Sequence, residues 1–360
     1  MAGNSFGNHF VLSTFGESHG TAIGGMIDGC PAGISINISD IQAALDRRRP
    51  GQSHLTTARN EADTVEILSG IFEGVTTGAP IGFIIRNNDQ KSGDYGHLKD
   101  TFRPSHADFT WESKYGIRDY RGGGRSSARE TACRVVAGSI AKAFLAMHGI
   151  EVSAWVSRVQ HIEMPEGKDW YSSAEIESSL VRCPHPETAT KMDNLIAHTK
   201  EAGDTVGGSI RAVARGMKVG LGQPVFHKLH ADIAAAMMGI NAVKGFEYGS
   251  GIAGTYRNGS EENDAFAEVD GKITTVTNRS GGIQGGISNG APIVCTVHFK
   301  PVATIMKDQQ TVNKEGETVN LAGKGRHDAC VLPRAVPIVE SMLALTLADH
   351  LQKMRSDRAM

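Results

Sequence analysis

The chain has 360 residues, with 37 Lys and Arg against 39 Asp and Glu, a net charge of −2 and a pI near 6.7. At ~100–200 residues per domain it can bury a large core, and its charge balance supplies no global field for nucleic acid or a membrane surface. No apolar run approaches the ~18 residues of a membrane span, and the start lacks the charged and apolar regions of a signal peptide.

The five cysteines (Cys30, Cys133, Cys183, Cys295, Cys330) include no C-x-x-C, so free buried thiols in a reducing, cytoplasmic setting are expected. Glycine, at 43 of 360 residues, exceeds the usual ~7 per cent and has no strict period, which points to tight turns and ligand loops.

Phe10 to Phe15 predicts a strand leading into Gly16-Glu17-Ser18-His19-Gly20, an acid, a hydroxyl and an imidazole at a strand end. The order is not G-x-S-x-G, so His19 as a general acid is preferred over Ser18 as a nucleophile. Ser39 and Gln42 have the spacing of a capping box, opening a helix that runs into Arg47-Arg48-Arg49 and stops at Pro50-Gly51. The three guanidinium groups are either a solvated cluster at the helix C-terminus or a bidentate grip on carboxylate or phosphate, with His54 and Arg59 nearby.

Strands follow at Val65 to Leu68 and Ile81 to Ile85. A second loop histidine then stands in Arg103-Pro104-Ser105-His106-Ala107-Asp108, ahead of a short helix over Ala107 to Tyr115. Gly122-Gly123-Gly124-Arg125-Ser126-Ser127 opens a long helix, with Ser127 and Glu130 at capping-box spacing and Gly149 as the stop. Free N–H groups, Arg125 and two hydroxyls at that start suit an anion.

Strands are predicted at Val152 to Val159 and Ile210 to Val213, with surface helices over Ala174 to Val181 and Glu187 to Glu201 between them. A buried helix spans His230 to Met238, and strands resume at Ile273 to Val276 and Ile293 to Phe299. Gly281 to Ile287 allows close backbone approach but is neither a Walker loop nor a placed G-x-G-x-x-G. Gly323 to Asp328 packs charge and imidazole between glycines, no metal-ligand spacing occurs, and Val336 to Met354 closes the chain as an amphipathic helix with a basic end. Mixed elements with recurring hairpin signals predict an α+β fold with antiparallel sheet, in one domain over residues 1–360.

Seven collinear blocks resemble the chorismate synthase family: F-G-E-S-H-G at Phe15, D-R-R-R-P-G at Asp46, R-P-S-H-A-D at Arg103, D-Y-R-G-G-G-R-S-S-A-R-E-T-A at Asp119, I-N-A-V-K-G at Ile240, G-G-I-Q-G-G-I-S at Gly281 and G-R-H-D at Gly325. The resemblance implies antiparallel sheets sandwiched by helices, a homotetramer, and the last common step of aromatic amino acid biosynthesis. That step is 1,4-anti elimination of phosphate from 5-enolpyruvylshikimate 3-phosphate, giving chorismate with reduced FMN and no net redox change.

By the family pattern, Arg125, Ser126, Ser127, Asn241, Ala242, Gly285, Lys300, Pro301, Val302, Ala303, Thr304 and Arg326 contact FMN. Ala303 and Thr304 stand where relatives carry serine, so side-chain hydrogen bonding at Ala303 is lost. Arg48, Ser18 and Arg129 match substrate-binding positions, and His54 occupies that of a partner arginine. His19 is implied as general acid to the departing phosphate. His106 is implied as proton donor to the reduced flavin, and Asp328 as an aid to proton acceptance near flavin N5.

The resemblance implies an external flavin reductase. NADPH enters only indirectly, since the extra segments of self-reducing fungal relatives are missing. A net-hydride oxidoreductase would need a nicotinamide site that no fingerprint supplies. An RNA-binding module would leave His19, His106 and Asp328 without purpose.

Overall fold

The structure is a computed structural model, and it describes residues 3–52, 62–87, 98–323 and 328–354. Alternating apolar residues build the first sheet from β1 (Ser5–Phe6), β2 (Val11–Gly16), β3 (Ala22–Asp28), β4 (Val65–Ile67) and β5 (Ile81–Arg86), ordered β1-β2-β3-β5-β4 and antiparallel throughout. Its register sets Ile23 opposite Ile85 and Ile27 opposite Ile81, all four fully buried on one face. The second sheet joins β6 (Glu151–Val159), β7 (Ile162–Glu163), β8 (Gly208–Arg215), β9 (Val243–Tyr248) and β10 (Ile293–Phe299) in the order β9-β10-β8-β6-β7, also antiparallel.

The helices are α1 (Ile38–Arg48), α2 (Asp108–Tyr115), α3 (Thr131–Ala146), α4 (Pro186–Glu201), α5 (Leu229–Met238) and α6 (Leu332–Met354). The α+β class with antiparallel sheets is the expected one. Its layering differs from sheets covered by outer helices: α3 touches β2 and β3 on one side and β6 on the other, while α6 packs on α3, α1, α5, β6 and β8. The helices α3 and α6 thus lie between the two sheets. For the same reason α6 is not amphipathic; every residue from Ala335 to Leu351 is buried. Gly138 on α3 faces Ser341 on α6, and a Cβ there would sit 2.2 Å from the Ser341 Cβ, so only glycine permits this approach.

Charge also ties these helices together. Arg47 at the end of α1 grips Glu340 of α6 with two nitrogens, at 2.9 and 3.1 Å, and Lys142 of α3 reaches the same carboxylate at 2.5 Å. Burial would raise the Glu340 carboxyl, but Lys142 and Arg47 hold it down at about 2.

Local signals fixed some boundaries differently from expectation. Helix α1 starts two residues earlier than a Ser39 cap allows, because Asn37 accepts from the Ser39 N–H at 3.1 Å and is the N-cap. Gln42 instead contacts the Ala62 and Asp63 carbonyls and the Val65 N–H.

The Ser127 region opens with two 3₁₀ turns, Gly124–Ser126 and Ala128–Glu130, before α3 begins at Thr131. Ser127 accepts from Arg129 N–H, while Glu130 pairs with Arg134 at 2.6 Å rather than reaching back. The helix expected over Ala174 to Val181 is a single turn, Ser173–Ile176. Beyond it the Ser179 hydroxyl bonds both backbone groups of Cys183, competing with helical bonding.

All five cysteines are free and buried, and burial pushes Cys30, Cys133, Cys295 and Cys330 up to about 12. Among the described residues no helix is long and apolar enough to cross a membrane.

Candidate active site

The loop after β2 is folded onto the glycine turn before α3. The Ser18 N–H donates to the Gly124 carbonyl at 3.4 Å, and the His19 ring lies against Gly122. Gly122 has φ +88°, and a Cβ there would stand 2.5 Å from His19 Cδ2, so the position requires glycine twice over. This contact opens a cavity of about 530 Å³, within the usual range for small-molecule sites. Its wall comes from the 18–19 loop, the end of α1, the 103–107 loop, the turns before α3, residues 240–242 after α5, residues 300 and 302–304 after β10, and the start of α6.

One side is cationic. Arg48 is buried and donates from Nη1 to Asp63 at 2.7 Å, from Nε to Thr131 at 3.2 Å and from Nη2 to the Ala128 carbonyl at 3.2 Å. Burial, with Arg334 and Arg129 nearby, pushes its guanidinium down to about 10 despite Asp63. Arg129 donates from Nη1 to the other Asp63 oxygen and from Nε to Asn87 at 2.9 Å. Burial works to raise the Asp63 carboxyl, yet the two guanidinium groups hold it below the usual carboxylate range. Arg334 pairs with Asp328 and donates from Nε to the Arg48 carbonyl at 3.0 Å.

Opposite stands His106, whose Nδ1 is 2.9 Å from Asp108 Oδ1. Asp108 is itself gripped by Arg103 at 2.7 Å through each oxygen and by Arg118 at 3.0 Å. Burial opposes ionisation there, but hydrogen bonds from Arg103 and His106 hold the carboxyl far below its ordinary range. An ionised Asp108 can only accept, so Nδ1 carries the proton and Nε2 is the ring nitrogen free to act.

The third side combines backbone and amide groups with the Lys300 ammonium. Asn241 donates to the Ser126 carbonyl at 3.0 Å, and the Ser126 hydroxyl donates to the Gly123 carbonyl at 2.6 Å. Ala242 holds φ +69° and its carbonyl accepts from the Lys300 N–H at 2.9 Å. Burial, with Lys244 nearby, pushes the Lys300 ammonium down. Around the cavity as a whole, Ser18 Oγ, Arg129 Nη2 and Asn241 Oδ1 are buried with no hydrogen-bond partner among the described residues. Buried polar atoms are seldom left so.

Of the residues singled out from sequence, Ser18, His19, Arg48, His106, Ser126, Ser127, Arg129, Asn241, Ala242, Lys300, Val302, Ala303, Thr304 and Asp328 all line this cavity. Arg125 does not. Its guanidinium is spent on the Gly16 and Thr14 carbonyls, the Thr14 hydroxyl and Asn4, in a neighbouring groove of about 720 Å³. Gly285 sits in the turn of a small hairpin away from the cavity, and Pro301 is not on its wall. His54, Arg59 and Arg326 lie outside the described residues.

The arginine triplet divides: Arg47 serves Glu340, Arg49 lies 3.7 Å from Asp46, and only Arg48 reaches the cavity. Arg103, Asp108, Asp63, Asn87 and Arg334 were not singled out. Arg103 and Asp108 flank His106 in one short motif and could have been. Asp63 and Asn87 belong to no motif. Among the described residues no group of three His, Cys, Asp or Glu side chains could hold a metal ion.

The chain matches the family profile described as chorismate synthase over residues 10–352. It is 61% identical over 358 residues to a chorismate synthase of Christiangramia forsetii, covering 99% of this chain and 100% of that one. It is 58% identical over 356 residues to one of Parabacteroides distasonis, covering 98% and 99%. A crystal structure of chorismate synthase superposes with a TM-score of 0.77 at 32% identity, covering 97% of this chain and 93% of that one.

Proposed function

The chain belongs to the chorismate synthase family of lyases, and from that premise we propose that its cavity turns 5-enolpyruvylshikimate 3-phosphate into chorismate with the help of reduced FMN. The observation that carries this reading is the set of unpaired buried atoms: a guanidinium nitrogen at Arg129, a hydroxyl at Ser18 and an amide oxygen at Asn241 await a ligand with both anionic and hydrogen-donating groups. A substrate with two carboxylates and a phosphate, beside a flavin with its own phosphate, fits that demand. Ser126, Ser127, Asn241, Ala242, Lys300, Val302, Ala303 and Thr304 would hold FMN, and Ala303 can offer it backbone groups alone. Arg125, Gly285 and Pro301 are not carried into this single-chain site.

Arg48 and Arg129 bind the substrate's anionic groups, with Ser18 donating to the same end. His19 gives a proton to the phosphate oxygen as its bond to the ring carbon breaks, so the leaving group departs less charged. The ring C–H breaks on the opposite face, its electron pair enters the new ring double bond, and its proton would be taken up at the reduced flavin with Asp328 assisting. His106, its Nδ1–H fixed on Asp108, would as the imidazolium offer a second proton from Nε2 to the reduced flavin. Reduced FMN, when bound, supplies electron density transiently to the allylic system, and the overall reaction stays redox-neutral. In this reading the protein works as a cytoplasmic, single-domain homotetramer served by an external flavin reductase, with NADPH acting only upstream.

The test is anaerobic mixing of purified protein, reduced FMN and 5-enolpyruvylshikimate 3-phosphate, following chorismate and phosphate together. Equal release of both, abolished with oxidised FMN and strongly slowed in His19→Ala and His106→Ala, is expected. Wild-type rates in both variants would remove the assigned roles.

A further inference from the structure

Two residues touch no ligand space yet control what the cavity presents. We infer that Asp63, together with Asn87, is a positioning residue that aims the guanidinium of Arg129 and ties it to Arg48 and to the His19 loop. The inference rests on the reading of Arg48 and Arg129 as the anion-binding pair.

Asp63 is 1% exposed and is not on the cavity wall. Its Oδ2 accepts from Arg48 Nη1 at 2.7 Å and its Oδ1 from Arg129 Nη1, so one carboxylate joins arginines brought by α1 and by the turn before α3. Asn87 takes the Arg129 Nε–H at 2.9 Å. Its amide nitrogen meanwhile donates to the carbonyls of Glu17 at 3.0 Å and Gly20 at 2.8 Å, bracketing Ser18 and His19. With Nε held by Asn87 and Nη1 by Asp63, Nη2 is the remaining nitrogen of Arg129, and it has no partner among the described residues. The backbone at Asp63 has φ +49°, a conformation that L side chains adopt rarely.

A purely structural role accounts for this arrangement poorly. Buried ion pairs are weak stabilisers, because desolvation consumes most of the attraction. Here one carboxylate faces two guanidinium groups, which leaves a net charge of +1 and an unsatisfied donor at the cavity. That is the wrong composition for a stabilising cluster and the right one for receiving an anion. Without Asp63 two buried like charges would repel, and the fork they present would open.

The test titrates 5-enolpyruvylshikimate 3-phosphate into the full-length protein by calorimetry, with thermal unfolding run alongside. Asp63→Ala should weaken substrate binding by about 10- to 100-fold, the usual scale for losing a residue that orients a ligand contact. Added formate, which can refill the vacated carboxylate position, should restore much of it, whereas formamide should not. Asn87→Ala should weaken binding by about 10-fold, and it decides the matter if Asp63→Ala does not fold. Folded variants that bind within twofold of wild type, or a loss that formate leaves unrepaired, overturn the inference. Arg129→Ala separates the two levels. If it binds substrate like wild type, the anion-site reading fails and the inference falls with it; if it weakens binding while Asp63→Ala does not, only the inference fails.

Discussion

Replacing Gly122 with alanine isolates the placement of His19. The added methyl would stand 2.5 Å from His19 Cδ2, 2.8 Å from Nε2 and 3.1 Å from Ser18 Oγ. Carbon atoms in ordinary contact sit at ~3.5–4.0 Å, so the imidazole must retreat by about 1 Å. A displacement of that size costs on the order of 10²-fold in rate when the group transfers a proton in the transition state. The backbone adds its own charge-independent cost, about 1–2 kcal/mol for an L residue in left-handed space. Gly124→Ala supplies the control, because Gly124 also has positive φ, +50°, but its added methyl meets nothing within 4 Å. Both variants should therefore lose similar stability by calorimetry, while only Gly122→Ala loses about 10²-fold in anaerobic chorismate formation. Equal turnover in the two variants would refute the claim that the glycine exists to seat His19.

Other consequences follow from the same geometry. Asp108→Asn removes the ionised acceptor of His106 Nδ1–H and should cut turnover by about 10²-fold or more, the range of general acid–base contributions, with substrate affinity little changed; an unchanged kcat would dissociate Asp108 from His106. The Glu340 carboxyl is depressed from 4.5 to about 2, so its contribution is full above about pH 4.5 and is lost as pH falls toward 2. At ~1.36 kcal/mol per unit this is roughly 3 kcal/mol, and urea unfolding of wild type and Glu340→Gln should converge as the pH drops through that window. Gly138→Ala, which forces a methyl onto Ser341, should cost about 1–3 kcal/mol by overpacking while leaving turnover per folded molecule intact, as thermal melts with activity assays would reveal.

Local periodicity was enough for β2, β5, β8, β10, α2, α4 and α5, since each is specified by its own apolar spacing. It misjudged α6 because amphipathicity is inferred from one partner face, and this helix is enclosed on all sides. It misjudged two capping boxes because the four-residue spacing does not reveal which hydroxyl or amide stands at the true first turn. The triplet Arg47-Arg48-Arg49 carried a readable clue that was passed over: neighbours on a helix project ~100° apart, so three in a row cannot grip one ligand. The cavity residues were legible as motifs, whereas Asp63 and Asn87 act across long sequence separations through single polar contacts that leave no periodic trace.

For a chain of net charge −2, taking up the proposed polyanionic ligands needs oriented donors rather than a field, and the cavity offers such donors. Four arginines line it, Arg48, Arg103, Arg129 and Arg334, and each is met by a carboxylate: Asp63 for two of them, Asp108 for Arg103 and Asp328 for Arg334. The carboxylates offset the repulsion that these four cations would otherwise exert on one another. They also fix the direction of each guanidinium before any ligand arrives, so little reorganisation remains at the moment of reaction. What this leaves unpaired in a cavity of about 530 Å³ is local: one guanidinium nitrogen, one hydroxyl and one amide oxygen. Discrimination then follows from position, because a ligand that lacks an anionic group at Arg129 would leave a buried charge unmet, the costliest mismatch such a site can impose.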